Sequence, residues 1–209
     1  KIIKESLNGH ENVVLIAASK YMDLDFTKRL IEQGITHFGE NRTDMLLEKY
    51  EALSDHPELK WHFFGTLQSR KVRDVVGKIS YLHSLDRIGL AMELDKRLTE
   101  PLDCFIQVNI TNDEKKSGVP VSKLKMFVKS LGKYSKIRVI GLMCIAPLTF
   151  DMEIIEDVFI KMEKLKKQVQ DMNLEFAPCT ELSMGMSNDY KLALEHGATF
   201  IRLGRIFMQ

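Results

Sequence analysis

The chain has 209 residues, 30 of them basic and 29 acidic, for a formal net charge of +1; 44% are apolar and 28% charged. That length favours one large domain over residues 1–209 rather than two, and the composition excludes a disordered chain of low hydrophobicity. Near-neutrality removes the basic field that a nucleic acid or an anionic membrane would demand, so neither is an expected partner.

Short apolar runs then alternate with amphipathic stretches, the pattern of βα units and hence of a parallel sheet. The chain begins Lys-Ile-Ile-Lys, with no signal peptide and no apolar run long enough to cross a bilayer. Residues 13–18 are apolar throughout, as a strand buried on both faces requires. Asp23 or Asp25 is placed to cap a helix through Gln33, and Gly34 to stop it. Residues 36–38 read as a second strand and 41–53 as a helix; 61–64 are a third strand, with a helix over 69–76. Residues 79–83 are a fourth strand, after which Asp86 caps a helix to Leu98. The fifth strand covers 104–110, its helix 120–131, and the sixth strand 137–145. A long helix over 152–172 leads to a seventh strand at 180–184, a helix over 188–196 and an eighth strand at 200–203.

Eight strands with intervening helices predict a single-domain α/β fold, a (β/α)8 TIM barrel at the compact end of that fold's range. The alternative is an open doubly wound sheet, but no Gly-x-Gly-x-x-Gly follows the first strand to support dinucleotide binding. Cys104, Cys144 and Cys179 lie far apart in or beside apolar runs, which points to buried thiols in a reducing cytoplasm and away from disulfides and zinc. Lys161, Lys164, Lys166 and Lys167 alternate with Met162, Leu165 and Val169, the signature of a helix with a solvated face. Lys115 and Lys116 are expected to face solvent in the loop after the fifth strand, with an electrostatic effect on an incoming anion from that catalytic side as the lesser alternative. Arg70, Lys71 and Arg73 fall where positive charge opposes a helix dipole, without a rationale at the sequence level.

In such a barrel the working residues lie at the C-terminal ends of the strands. The first strand ends in Ala17-Ala18-Ser19-Lys20. A lysine turned into the barrel mouth is partly desolvated and suited to attack a carbonyl, whereas one that begins a solvated loop is not; position alone does not decide. At the other end of the chain, Ser183-Met184-Gly185-Met186-Ser187-Asn188 combines a glycine, hydroxyls and a helix start, and Arg202-Leu203-Gly204-Arg205 follows the last strand. These loops occupy the corner where barrels of this kind bind phosphate. A lysine and a phosphate corner across one mouth suit pyridoxal 5′-phosphate, and equally a sugar-phosphate aldolase.

The motifs carry a resemblance. Ile16-Ala17-Ala18-Ser19-Lys20, Phe38-Gly39-Glu40-Asn41, residues 61–69 (WHFFGTLQS), Lys116-Ser117-Gly118, Gly141-Leu142-Met143, residues 182–187 (LSMGMS) and Arg202-Leu203-Gly204 occur in an order that resembles the pyridoxal-phosphate homeostasis proteins of the YggS/PROSC type. The resemblance implies a fold-type III pyridoxal-phosphate-binding barrel, similar to the N-terminal barrel domain of alanine racemase. It implies that Lys20 holds the cofactor covalently as an internal aldimine. Ser183, Ser187, Gly204 and Arg205 would then surround the phosphate, Arg202 would approach the pyridine nitrogen, and Asn41, His62, Met143 and Met184 would lie around the ring. For His62 a structural role inside the barrel is an equal expectation, and for the two methionines packing is preferred.

The resemblance further implies a monomeric cytoplasmic carrier that buffers the cofactor and delivers it to apo-enzymes, without robust catalysis. The alternative is a weak amino-acid racemase, which needs a proton acceptor on each face of the ring. Tyr190 or His62 would supply the second only on reaching that face. A Schiff-base aldolase is disfavoured because such enzymes usually carry the lysine on a later strand. Two departures stand out: the stretch Gly204-Arg205-Ile206-Phe207 is one residue shorter than the family's pattern and lacks its glycine, and the leader is short. Either a divergent protein or a chain shortened at both termini would account for them, and the donor after Gly204 is unassigned.

Overall fold

The computed structural model describes residues 7–208, so the opening Lys-Ile-Ile-Lys and the final glutamine lie outside the described residues. The strands are β1 Val14–Ala18, β2 His37–Glu40, β3 Lys60–Phe63, β4 Tyr81–Leu85, β5 Leu102–Asn109, β6 Val119–Pro120, β7 Ile137–Met143, β8 Glu181–Ser183 and β9 Phe200–Leu203. The helices are α1 Leu24–Glu32, α2 Thr43–Ala52, α3 Val72–Val75, α4 Ile88–Arg97, α5 Leu124–Ser130, α6 Met152–Gln170 and α7 Tyr190–Glu195. The strands run in the order β4-β3-β2-β1-β9-β8-β7-β5, all parallel, and β4 pairs with β5 to close the barrel. That pairing rules out the open doubly wound sheet. β6 is an addition that pairs with the end of β5 at Val108 and Asn109.

Alternation along the strands divides the apolar core in two. On β3, Trp61 and Phe63 pack outward with the helices while Phe64, just past its end, packs inward; on β9, Ile201 and Leu203 pack outward and Phe200 inward. The outer layer is the large one. The inner layer comprises Ile16, Phe105, Ile140, Met143 and Phe200, with Val14, Phe64 and Tyr81 against them.

Local chemistry sets the boundaries. Asp23 caps α1, its carboxylate accepting from Phe26 N at 2.7 Å. Gly34, at φ +88°, ends the helix with Gly34 N donating to Ile31 O and Ile35 N to Leu30 O, a left-handed cap that glycine adopts without strain. Asp86 does not cap α4: its carboxylate lies 3.1 Å from Arg87 Nη1, and Arg87 reaches on to the Leu67 carbonyl at 2.6 Å. The expected helix over 69–76 is a 3-10 turn, Ser69–Lys71, followed by one α turn. So short a helix has little dipole for Arg70, Lys71 and Arg73 to oppose. The expected helix over 120–131 likewise begins with β6 and a 3-10 turn before α5. On α6 the apolar stripe from Ile155 to Val169 is buried and Lys161, Lys164 and Lys167 are exposed, as the periodicity requires. All three cysteines are free and buried, and burial pushes the Cys144 and Cys179 thiols up to about 12. Among the described residues no helix is long and apolar enough to cross a membrane.

Candidate functional site

A cavity of about 740 Å³ opens at the C-terminal ends of the barrel strands. Four of the sequence-predicted residues line it: Lys20 after β1, Asn41 after β2, Met143 at the end of β7 and Arg202 on β9. Each sits at or just past a strand end because alternation turns it inward there.

Lys20 is exposed, its Nζ 4.6 Å from the centroid of the Tyr21 ring, so the wall it occupies is solvated rather than apolar. Its place is set by the residue before it. Ser19 is buried, donates its hydroxyl to Glu40 Oε1 at 2.6 Å and its backbone N–H to Gly39 O at 3.0 Å. Lys49 of α2, equally buried, reaches Glu40 Oε1 at 2.6 Å and also donates to the Ser19 carbonyl. A buried carboxylate, ammonium and hydroxyl therefore clamp the turn that carries Lys20. Asn41 is placed by close approach: a Cβ on Gly65 would overlap the Asn41 carbonyl, so only glycine lets the loop after β3 lie across it.

Arg202 is 5% exposed and forked. Nη1 donates to Ser183 Oγ at 2.6 Å and Nη2 to the Cys144 carbonyl at 2.8 Å, which leaves further N–H groups for the cavity it lines. Burial pulls the guanidinium below its ordinary value, against Cys144 and Asp189, and it remains a donor only.

The loop after β8 departs from expectation. α7 begins at Tyr190, and Asp189 turns its carboxylate back to accept from Met186 N at 2.7 Å, so that loop N–H is already engaged. The convergent donors come instead from the end of the chain: Gly204 N and Ile206 N both donate to Ser187 Oγ at 3.3 Å. After Gly204, Ile206 N is the next backbone N–H that turns to Ser187. Ser187 and Ile206 line a second cavity of about 480 Å³, whereas Met186 lines the first.

Other predicted residues stand back from the main cavity. Ser183 is buried behind Arg202, Met184 is packed in the outer core, Gly204 is half-buried and Arg205 is exposed at the start of the terminal 3-10 turn. His62 is fully buried with both ring nitrogens engaged, Nε2 with His37 and Nδ1 with His83. Tyr190 is buried and lines the second cavity. Neither candidate second base reaches the cavity that Lys20 lines.

Sequence reasoning missed part of the wall. Lys116 is exposed as expected and also lines the cavity with Ser117, because Asn109 Nδ2 gathers the loop by donating to Asp113 O at 2.8 Å and Lys116 O at 3.2 Å. Phe64, Thr66 and Gln107 also line it. His37 and His83 went unnoticed, although each stands on a short strand where alternation turns it inward.

Comparison with known proteins fits this geometry. The family model for the alanine racemase N-terminal domain matches residues 13–208. The chain is 36% identical to the pyridoxal phosphate homeostasis protein of Aquifex aeolicus, over 99% of this chain and 90% of that one. It is 37% identical to the Synechocystis protein of the same name, over 93% and 90%. Among solved structures, PipY of Synechococcus elongatus with PLP bound superposes with a TM-score of 0.89 at 32% identity, covering 99% of this chain and all of that one. Alanine racemase from Corynebacterium glutamicum, at 14% identity and TM-score 0.70, shares the fold over 57% of its own chain. The chain belongs to the pyridoxal phosphate homeostasis protein family, built on the barrel of the alanine racemase N-terminal domain.

Proposed function

We propose that the protein binds pyridoxal 5′-phosphate with its ring in the 740 Å³ cavity and its phosphate toward the 480 Å³ cavity that Ser187 and Ile206 line, holds its aldehyde at Lys20, and buffers and delivers the cofactor to apo-enzymes rather than turning over substrate with it. The observation that carries this reading is the meeting of Lys20 and Arg202 on one cavity, with the Gly204 and Ile206 N–H groups converging on Ser187.

The residues present suit the group. Lys20 supplies an amine at an open wall. Ser187 supplies a hydroxyl that can donate to a phosphate, held in place by the two N–H groups its Oγ accepts from, and exposed Arg205 adds positive charge nearby. A Cβ at Gly204 would sit 3.1 Å from the Ala18 carbonyl, so a side chain there would crowd β1 against this corner. Asn41 and Met143 would flank the ring. When bound, pyridoxal phosphate contributes an electrophilic aldehyde and an electron-withdrawing ring. Arg202 can only donate, so it would leave a ring nitrogen unprotonated and mute carbanion chemistry.

The carrier reading is preferred over the racemase because racemisation needs a second proton acceptor. His62 has both nitrogens committed, and Tyr190 lines the cavity of the Ser187 corner rather than the one that Lys20 lines. Monomeric action in a reducing cytoplasm belongs to the same proposal, in keeping with three buried free thiols.

Adding the cofactor should produce a visible absorbance band, and borohydride reduction followed by peptide mapping should mark Lys20. Covalent labelling that persists in Lys20→Ala would remove Lys20 from this role. Amino-acid α-proton exchange in heavy water at ordinary enzymatic rates, about 10 per second, would overturn the carrier reading.

A further inference from the structure

Three imidazoles cross the barrel interior in an unbroken line of hydrogen bonds. His37 Nδ1 lies 2.9 Å from His62 Nε2, His62 Nδ1 lies 2.8 Å from His83 Nε2, and His83 Nδ1 lies 2.7 Å from Ser183 Oγ. Arg202 Nη1 donates to that same hydroxyl at 2.6 Å. The line begins at the first residue of β2, on the N-terminal side of the barrel, and ends at the last residue of β8, beside the arginine that lines the cavity. His37 is half-buried; His62, His83 and Ser183 are fully buried. His62 stacks on Tyr81 with ring centroids 4.5 Å apart, His83 stacks on Phe105 at 4.4 Å, and Phe200 meets both imidazoles edge-on.

Counting protons fixes the sense of the line. A neutral imidazole has one N–H and one accepting nitrogen. Fully buried among aromatic rings, His62 and His83 are held neutral: desolvation lowers both well below the ordinary value, aided by the neighbouring histidines for His62 and by Arg202 for His83. Each His–His contact needs one hydrogen, and only two arrangements provide it. Either all three hydrogens sit on Nε2 and the line donates away from the cavity, or all three sit on Nδ1 and it donates toward the cavity. Any mixture puts two hydrogens, or none, into one contact.

The two arrangements differ at Ser183. With every hydrogen on Nδ1, Ser183 Oγ accepts from His83 and Arg202 at once, and its own hydrogen has no further partner among the described residues. With every hydrogen on Nε2, Ser183 accepts from Arg202 and donates to His83, and the outermost N–H belongs to half-buried His37, where water can take it. A buried donor left unpaired is disfavoured, so the second arrangement is the resting one.

We propose that His37, His62 and His83 are positioning residues for Arg202: a one-way relay, with every hydrogen on Nε2, that commits the Ser183 hydrogen to His83 and turns a Ser183 lone pair toward the guanidinium. The relay is reversible by acid. Uptake of one proton by the line leaves His37 with hydrogens on both nitrogens, which requires the His62 and His83 hydrogens to sit on Nδ1 instead of Nε2, while Ser183 remains a hydroxyl. His37 becomes an imidazolium, and Ser183 now accepts from both sides. The groups facing His37 are Lys60 on β3, whose charge opposes that cation, and the His62 and Tyr81 rings; Tyr81 in turn feels Asp103 and Glu181, and His83 feels Arg202. The consequence for cofactor affinity rests on the proposed function, whereas the tautomers belong to the protein alone.

The test uses the full chain labelled with 15N-histidine. Two-bond nitrogen–proton correlation spectra without added cofactor should find His37, His62 and His83 all carrying hydrogen on Nε2 at neutral pH. His62 or His83 with its hydrogen on Nδ1, or in the imidazolium form, overturns the relay even if pyridoxal phosphate does not bind. Absorbance titration with pyridoxal phosphate then reads the coupling. His37→Leu, which leaves His62 Nε2–H without an acceptor, should weaken affinity about fivefold, the scale of one lost hydrogen bond. His37→Asn, which offers a carbonyl oxygen in place of Nδ1 and does not titrate, should keep wild-type affinity at pH 8 and lose less of it than the wild type on acidification to pH 5.5. Equal affinity for wild type and His37→Leu, or the same acid response in His37→Asn, would overturn the coupling to Arg202.

Discussion

Glu40 Oε1 and Lys49 Nζ lie 2.6 Å apart with their side chains 0% and 2% exposed, so β2 and α2 are joined by an ion pair inside the outer wall of the barrel. The same ammonium donates to the Ser19 carbonyl, which ties the pair to the turn bearing Lys20. Removing the lysine alone strands a buried carboxylate whose Oε2 already lacks a partner among the described residues. Lys49→Met is therefore expected to cost about 3–5 kcal/mol in urea unfolding, and the double variant Lys49→Met/Glu40→Gln to recover much of it. A double variant no better than the single one would contradict an electrostatic origin.

Ser187 Oγ accepts from two backbone N–H groups, so its loss should be felt by an anion more than by a neutral ring. Ser187→Ala should weaken pyridoxal phosphate binding roughly tenfold, the scale of one hydrogen bond to a charged group, and leave the affinity for pyridoxal nearly unchanged. Equal losses for the two ligands would place the phosphate elsewhere.

Arg202→Lys removes a fork that serves Ser183 and the Cys144 carbonyl together. A lysine is a point charge and can satisfy one of them, so a stability loss of about 1–3 kcal/mol is expected. Chemical denaturation checks this. Unchanged stability would mean that water replaces the guanidinium contacts.

Acid should act on the fold in two opposing ways. His62 and His83 stay neutral when folded, while the unfolded chain protonates them near pH 6.5, so stability falls as pH drops below about 6.5, by up to ~1.4 kcal/mol per pH unit for each. His196 behaves oppositely. Burial disfavours its charge, but Glu156 and Glu163 of α6, at 2.9 and 3.3 Å, raise it overall. Its contribution is complete below the unfolded value and fades as pH rises through the folded one. With both carboxylates substantially exposed it amounts to no more than about 1 kcal/mol. The buried pair dominates, so the urea midpoint should be lower at pH 5.5 than at 7.5, and His196→Gln should lose more stability at the lower pH. A midpoint that rises on acidification would contradict neutral buried imidazoles.

Much of the barrel is legible in the sequence because alternating strands and amphipathic helices are local patterns. All eight barrel strands lie where apolar runs placed them, with ends shifted by up to two residues. What local pattern misses is partnership across the barrel. Asp86 has the right spacing for a cap, but Arg87 beside it is the stronger partner. Lys20 and Arg202 were found from strand ends, a positional rule of the fold. His37 and His83 were not, since a histidine on a strand acquires meaning only when closure brings β2, β3, β4 and β8 around one axis. Lys116 is solvated as its sequence suggests, but its place on the cavity wall depends on the turn built by Asn109, which joins residues four and seven apart through side-chain bonds that no periodicity records.

The two apolar layers have no residue in common. Of the inner layer and the side chains against it, Met143 and Phe64 alone line the 740 Å³ cavity, while Ile16, Phe105, Ile140 and Phe200 fill the barrel without touching it. A change at Met143 or Phe64 would therefore reshape the cavity and the inner packing in one step, whereas a change at Ile16 or Phe105 would reach a bound molecule only through the residues between.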